Sequence, residues 1–285
     1  MENISSKPYI SAYTFTTLCN HVWLGNYPGT SYLNKYNRPI NSKEVKDEDI
    51  LYVKTSELIQ FMNKVDPHID CRYTLICGMG DEIFDNKLSS YLSDNVLRVY
   101  TTNNISDDLK VFTIPLGLQN LHWQYDNNPQ SNFLLIDKVR SESIEKDKKV
   151  LMSFSIETNP KERTRCYQYF KDKNFISIRN FTQENRKDEE FVLNYFREIR
   201  KHKFVLCPFG NGFDCHRMWE TWALGSFPII KRHKSMEAFY DLPAWFVNDW
   251  GEVTQKNSEI VYDSLLKETL SLEKCKFKYW EELIV

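Results

Sequence analysis

The second half of the chain alternates short apolar runs with helical segments, and this alternation restricts the fold more than any other feature. Asn159 and Pro160 are typical of a helix start with proline in the first turn, and that helix should reach about Phe170. Residues 188–201 carry apolar side chains at amphipathic helical spacing. Because links between these segments are short, the alternation predicts a parallel sheet covered by helices. Buried strands are predicted at 150–154, 175–178, 204–207, 227–230 and 244–247.

The first half repeats this pattern with irregular links. A helix is predicted at 55–64, and the polar stretch 124–149 is the candidate domain connection. At ~150 residues per domain, 285 residues allow about two domains. We therefore predict an α/β protein with domains over residues 1–140 and 141–285, whose ligands bind beyond the carboxyl ends of the strands. Strands of the first domain are predicted at 50–53, 74–77, 96–100 and 111–114.

Composition excludes several classes of protein. The net charge is −2, from 37 Lys and Arg against 39 Asp and Glu, which argues against a nucleic-acid partner. The seven cysteines are scattered and form no CxxC pair, so we expect reduced thiols rather than disulfides or structural zinc. The N-terminal residues 1–10 lack the apolar core of a secretory signal, and no run of ~18 apolar residues occurs. We expect a soluble, cytoplasmic protein without a membrane anchor.

The segment after the strand at 204–207 carries the sharpest functional signal. Its loop contains Gly210 and Gly212, and the next helix is predicted to open near Asp214, whose side chain could cap it. A glycine loop before a helix N-terminus suits an anion such as a diphosphate, and Arg217 can grip phosphate oxygens there. Glu220 shares a helix face with Arg217, at a distance suited to ribose hydroxyls.

Other interpretations of this loop stay open. Such loops also occur for packing alone, and Arg217 with Glu220 could be a surface ion pair. The loop also partly matches a dinucleotide fingerprint, but the third glycine is missing.

Residues 207–220, reading CPFGNGFDCHRMWE, and residues 223–230 resemble the sugar-nucleotide motif of exostosin-like glycosyltransferases. Residues 240–243 and 249–250 also resemble that family, whereas the first half matches only at 78–81 and 114–117. The resemblance implies a GT-B fold, with two Rossmann-like domains whose parallel sheets face a central cleft. It also implies an acceptor-side domain at 1–140, a nucleotide-sugar-binding domain at 141–285, and inverting sugar transfer to a glycan hydroxyl.

By length and domain content, the chain looks most like the small soluble members encoded by large DNA viruses, some of which use xylose donors. A UDP-sugar is therefore the leading donor, with UDP-xylose as one candidate. The alternatives are another donor such as GDP-fucose, or an inactive carbohydrate- or nucleotide-binding module.

The resemblance also assigns roles to residues. It places Arg217 on the donor diphosphate and Glu220 on the donor ribose, with Gly210 and Gly212 shaping the loop. A basic residue after the first strand of the second domain would also hold phosphate, and we favour Arg163 over Arg165. Weaker donor-site candidates are Asn211, Asp214, His216, Ser153 and Asn180.

Inverting transfer requires a base, which we expect in the first domain. Our first choice is Asp81, which could instead be a turn or cap residue. In this fold a helix dipole and cationic side chains usually stabilise the leaving diphosphate, so we expect neither a metal nor a cofactor. The sequence Asp47-Glu48-Asp49 has the form of a metal-binding Asp-x-Asp, but the preceding residues are polar, which indicates a solvated charge cluster. The reserve candidates for the base are Glu82, Asp85 and His21.

Overall fold

The structure, a computed structural model, describes residues 9–24, 40–119, 131–180, 188–268 and 271–285. By their contacts, these residues form two compact units. The first unit holds Ile10–Leu116 and Trp280–Val285, and the second holds Tyr9 and Gly117–Tyr279.

The first unit is built on a parallel sheet of five described strands in the order β1-β2-β3-β4-β5. Its core forms where Val53, Leu75 and Val99, all fully buried, pack with Leu58 and Phe61 of a helix that covers one face. The strands are β1 (His21–Trp23), β2 (Ile50–Lys54), β3 (Tyr73–Gly78), β4 (Val96–Thr101) and β5 (Val111–Thr113). Its helices are α1 (Ala12–Thr16), α2 (Leu58–Lys64) and α3 (Asn86–Ser89).

The second unit holds a second parallel sheet, in the order β10-β9-β8-β6-β7. Its strands are buried on both faces: Val150 and Phe204 pack with Phe170, while their neighbours Leu151 and Val205 are equally inaccessible. Because the strands are buried on both faces, consecutive positions along each strand are apolar. The strands are β6 (Asp147–Met152), β7 (Ile176–Ile178), β8 (His202–Leu206), β9 (Phe227–Lys231) and β10 (Trp245–Val247). The helices are α4 (Ser131–Ser141), α5 (Pro160–Phe170), α6 (Glu189–Lys201), α7 (His216–Ala223) and α8 (Gln255–Lys267).

A last helix, α9 (Phe277–Ile284), begins in the second unit and ends in the first. Among the residues described, no helix is long and apolar enough to cross a membrane.

Helix starts in the second unit follow capping chemistry. Asn159 Oδ1 accepts a hydrogen bond from the Glu162 amide at 3.2 Å, with Pro160 in the first turn of α5. Asp188 Oδ1 accepts from the amides of Glu190 and Phe191 at the start of α6, at 3.0 and 3.2 Å. These side chains satisfy amide groups that the first helical turn leaves without partners.

The prediction of an α/β fold with two parallel sheets is confirmed, and each predicted strand occurs with small changes of boundary. The predicted helix at 55–64 begins as a 3-10 turn over Thr55–Glu57 and continues as α2. The division by contacts lies at Leu116 and Gly117 rather than near residue 140, since α4 packs against α6 within the second unit. The predicted connection 124–149 lies partly outside the described residues, and its described part contains α4.

Candidate functional site

The order of the second sheet places a ligand site between β6 and β8. From β6 the chain adds β7 on one side, then returns to place β8, β9 and β10 on the other. Ligands of open α/β sheets bind beyond the carboxyl ends of the strands at such a reversal. The described strands of the first sheet run in chain order without a reversal. The loops after β6 and β8 are therefore the expected walls of the site.

The loop after β8 is the predicted glycine loop, but Asp214 has a different role from the predicted one. The helix α7 begins at His216, and its N-cap residue is Cys215, which makes no side-chain capping hydrogen bond. The Asp214 side chain is buried, and its Oδ1 accepts from the indole Nε1 of Trp219 at 2.7 Å. Asp214 therefore ties the end of the loop to α7 rather than capping the helix.

We expect Asp214→Ala to lower the free energy of unfolding by ~2 kcal/mol, because the buried Trp219 N–H loses its acceptor. Asp214→Asn is the matched control, since the amide oxygen can still accept that hydrogen bond. Urea unfolding of both variants measures the difference. Equal stability of the Ala and Asn variants would show that the indole bond contributes nothing.

Arg217 lies in the first turn of α7 and is a buried cation. Its side chain is only 6% exposed, and its guanidinium lies 5.7 Å from the ring centroid of Phe154, in the loop after β6. The buried Nε has no hydrogen-bond partner, and no carboxylate among the described residues forms an ion pair with this guanidinium. The alternative of an Arg217–Glu220 surface ion pair is thus not found. A buried cation is costly, and a bound anion can offset that cost.

Arg163, on α5, joins the two loops. Its Nε donates to the Phe209 carbonyl at 3.0 Å, and its Nη1 donates to the Ser155 carbonyl at 2.7 Å and to Thr158 Oγ1. The other predicted candidate, Arg165, is exposed. Three of the Arg163 donor contacts are thus made to the protein itself, and they hold the loop after β6 against the loop after β8.

The position of Gly210 depends on Arg163. A Cβ atom at residue 210 would lie 3.0 Å from Arg163 Nη2, closer than side chains normally tolerate. The Gly210 amide donates to the Gly212 carbonyl at 3.0 Å, and the Gly210 carbonyl accepts from Asn159 Nδ2 at 2.8 Å. The amide of Gly210 is therefore used within the loop, and the two glycines form a compact turn.

The two guanidinium groups of the site affect the ionisation of a neighbouring thiol. A hydrogen bond from Cys207 and the guanidinium groups of Arg217 and Arg163 lower the pKa of Cys215 to about 6, against the effect of burial. Burial would lower the pKa of Arg217 itself, but electrostatic interactions with neighbouring groups, which include Cys215 and Glu220, keep that pKa above its ordinary value. The site therefore holds a permanent cation and favours negative charge on a neighbouring group.

Glu220 lies one turn after Arg217 and is 7% exposed. Its Oε2 accepts a hydrogen bond from the hydroxyl of Tyr195, on α6, at 3.0 Å. We identified Tyr195 from the sequence only as an apolar position of α6, because a contact between two helices leaves no local signal. Phe154, which lies within 6 Å of both guanidinium groups, was also missed as part of the site.

The weaker donor-site candidates differ in placement. Ser153 follows β6, is fully buried, and its Oγ has no hydrogen-bond partner. His216 is half-buried, and its Nδ1 lies 2.8 Å from the Gly117 carbonyl. Asn211 and Asn180 are exposed. Ser153 is therefore the member of this group whose position at the β6–β8 reversal best suits a ligand.

Asp81, the candidate base, follows β3 in the first unit and is exposed. The carboxylate of Glu82 instead folds over Gly80, where an added Cβ atom would lie 1.7 Å from Oε2. Asp85 caps α3 by accepting from the Leu88 amide at 3.0 Å, and His21 Nε2 lies 3.3 Å from Asp49 Oδ2. Asp85 and His21 therefore have structural partners.

The acidic sequence at 47–49 forms turns. Asp47 Oδ1 accepts from the Arg72 amide at 3.1 Å, and Asp49 Oδ2 accepts from the Lys46 amide at 2.9 Å. In the part of the chain that the structure describes, no three His, Cys, Asp or Glu side chains are placed to hold a metal ion.

The two parallel five-stranded sheets define an α/β protein. Residues 162–264 match the family model described as the RXYLT1 C-terminal domain. This region is less than half of the chain and includes the glycine loop, Arg217 and Glu220. The match suggests a glycosyltransferase.

One solved structure with a similar arrangement is an alpha,alpha-trehalose-phosphate synthase (UDP-forming) from Burkholderia xenovorans in complex with glucose-6-phosphate. The identity is 9% and the TM-score 0.37, over 84% of this chain and 70% of that one. No curated protein matches the chain.

Proposed function

We propose that this protein is an inverting glycosyltransferase that moves a sugar from a nucleoside-diphosphate donor to a glycan hydroxyl without a metal ion. The observation that carries the proposal is Arg217, a buried guanidinium without an ion-pair partner among the described residues, in the first turn of α7. Its position at the β6–β8 reversal suits the donor diphosphate. A UDP-sugar is our leading donor, and the xylosyltransferase-like family match supports UDP-xylose as the first to test.

In the proposed reaction, the acceptor oxygen attacks the anomeric carbon as the bond from that carbon to the donor diphosphate breaks. The acceptor proton passes to a base, and negative charge builds on the leaving diphosphate. In this proposal Arg217 and the N-terminal end of α7 stabilise that charge, which is the task a metal ion performs in other enzymes. Arg163 supports the reaction by holding the loop shape, and its Nη2 lies nearest to Gly210.

For the base we propose Asp81. Its carboxylate is exposed, and the chain turns sharply just before it, since Met79 adopts the left-handed region with a φ of 58°. Backbone in this region is unfavourable for a methionine and is often retained at functional loops. Glu82 is the alternative base, because its buried Oε2 has no hydrogen-bond partner.

We expect UDP to raise the melting temperature in the presence of EDTA, because ligand at ~100 times its Kd adds ~2.7 kcal/mol of stability. The assay compares UDP, UDP-xylose, GDP and GDP-fucose, each with EDTA and with Mg²⁺. A shift only with guanine nucleotides would overturn the uridine donor, and a shift only with Mg²⁺ would overturn metal independence. No shift with any nucleotide would overturn the proposal.

Turnover separates an enzyme from a binding module. The donor that stabilises the protein best is incubated with enzyme, and release of the nucleoside diphosphate is followed over time. Slow hydrolysis, in which water replaces the glycan hydroxyl, supports a transferase. Binding with no release, with or without a panel of glycan acceptors, would instead assign an inactive nucleotide-binding module.

A further inference from the structure

The hydrogen bond between Tyr195 and Glu220 joins two helices at the candidate donor site. Tyr195 is 3% exposed and Glu220 7%, so the 3.0 Å contact lies inside the second unit. Glu220 shares a face of α7 with Arg217, whereas Tyr195 projects from α6. A buried carboxylate requires hydrogen-bond donors, and this hydroxyl supplies one to Oε2.

Tyr195 donates this bond over the whole working range of pH. Burial, followed by the negative charge of Glu220, raises the pKa of Tyr195 well above its ordinary value, and Arg217 only partly opposes that effect. The phenol therefore stays protonated and acts as a fixed donor. Because Glu220 Oε2 is held at 3.0 Å, the plane of the carboxylate is set, and with it the direction of Oε1.

We infer that Tyr195 is a positioning residue that makes the donor site selective for a nucleotide with an intact ribose diol. The inference rests on the proposed function and on the role that the family resemblance implies for Glu220, which is to accept hydrogen bonds from the donor ribose. Two vicinal hydroxyls require acceptor atoms at set positions, and a carboxylate that turns freely meets that requirement only part of the time. The hydroxyl of Tyr195 restricts that rotation through its bond to Oε2.

The test compares the affinities of UDP and 2′,3′-dideoxy-UDP for the full chain by calorimetry. We expect wild type to bind UDP at least ~10-fold more tightly, as hydrogen bonds from a diol to a charged group allow. In Tyr195→Phe this ratio should fall below ~3, while the affinity for dideoxy-UDP stays within ~2-fold of wild type, since the phosphate contacts are unchanged.

Tyr262→Phe is the matched control, since it removes the hydroxyl of another tyrosine in the same unit, whose ring packs on Phe204 and Phe227. This variant should keep the wild-type ratio. Should Tyr195→Phe fail to fold, Glu220→Asp serves instead, because it keeps the charge but withdraws the carboxylate from the Tyr195 hydroxyl. That variant should also bring the ratio below ~3.

Two results would overturn the inference. One is a wild-type protein that binds UDP and dideoxy-UDP equally, and another is a Tyr195→Phe or Glu220→Asp protein with the wild-type ratio. A loss of melting temperature in Tyr195→Phe with an unchanged ratio would identify Tyr195 as a purely structural residue. A wild-type protein that binds neither nucleotide would remove the proposed function itself, and this outcome is distinguishable because no ratio can then be measured.

Discussion

Replacing Arg217 with alanine is expected to weaken UDP binding by at least ~100-fold and so to abolish its effect on the melting temperature. The Arg217 side chain is 6% exposed and has no ion-pair partner among the described residues. A bound diphosphate would therefore pair with a guanidinium that is already shielded from water. Arg217→Lys keeps the charge but loses the planar fork, and its affinity should fall between wild type and Arg217→Ala. Calorimetry with UDP in EDTA measures all three proteins.

The control for Arg217 is Arg165→Ala, which removes the same charge from an exposed position on α5. It should bind UDP as wild type does. The ligand-free protein offers a second readout: Arg217→Met should melt at the same temperature or higher, because it replaces a buried cation with an apolar chain. Unchanged UDP binding in Arg217→Ala would contradict the proposed diphosphate site, and a strongly destabilised Arg217→Met would indicate a packing role.

Asp81→Asn is expected to slow turnover by ~10²–10⁴-fold, the usual contribution of a general base. Because Asp81 is exposed and lies outside the unit that contains Arg217, the affinity for UDP and the melting temperature should stay unchanged. Release of the nucleoside diphosphate measures turnover, and the thermal shift with UDP measures donor binding. A loss confined to turnover is the result that identifies a base.

Glu82→Gln is the matched comparison for Asp81, since it neutralises the adjacent carboxylate, whose Oε2 is buried without a hydrogen-bond partner. Wild-type turnover in Asp81→Asn together with loss of turnover in Glu82→Gln would transfer the role of base to Glu82. Loss in neither variant would place the base elsewhere in the protein.

The second sheet could be predicted because its strands are continuous apolar runs and Asn159 and Asp188 cap the helices between them. The strand β1 could not, because three residues are too short for a periodicity and only Val22 is fully buried. The sequence predicted Asp214 as the cap of α7, whereas the N-cap is the next residue, Cys215. The Asp214 side chain instead accepts a hydrogen bond from the buried Trp219.

The sequence was sufficient to propose Arg217, Glu220 and the two glycines as residues of the candidate site, but it did not identify their hydrogen-bond partners. The main acceptors of Arg163 are backbone carbonyls, which every residue carries and no pattern of side chains reveals. Tyr195 reaches Glu220 across 25 residues of chain, and only the packing of α6 on α7 brings them together.

The bonds that Arg163 and Asn159 make to the loop after β8 have a thermodynamic consequence. Because these bonds already order the loop, diphosphate binding does not carry the entropic cost of ordering it. The free energy of the phosphate contacts should therefore be nearly the same for every nucleotide donor. Affinity and selectivity are then separable quantities in this protein. The diphosphate sets a common baseline of binding, and the choice among donors depends on contacts to the base, ribose and sugar.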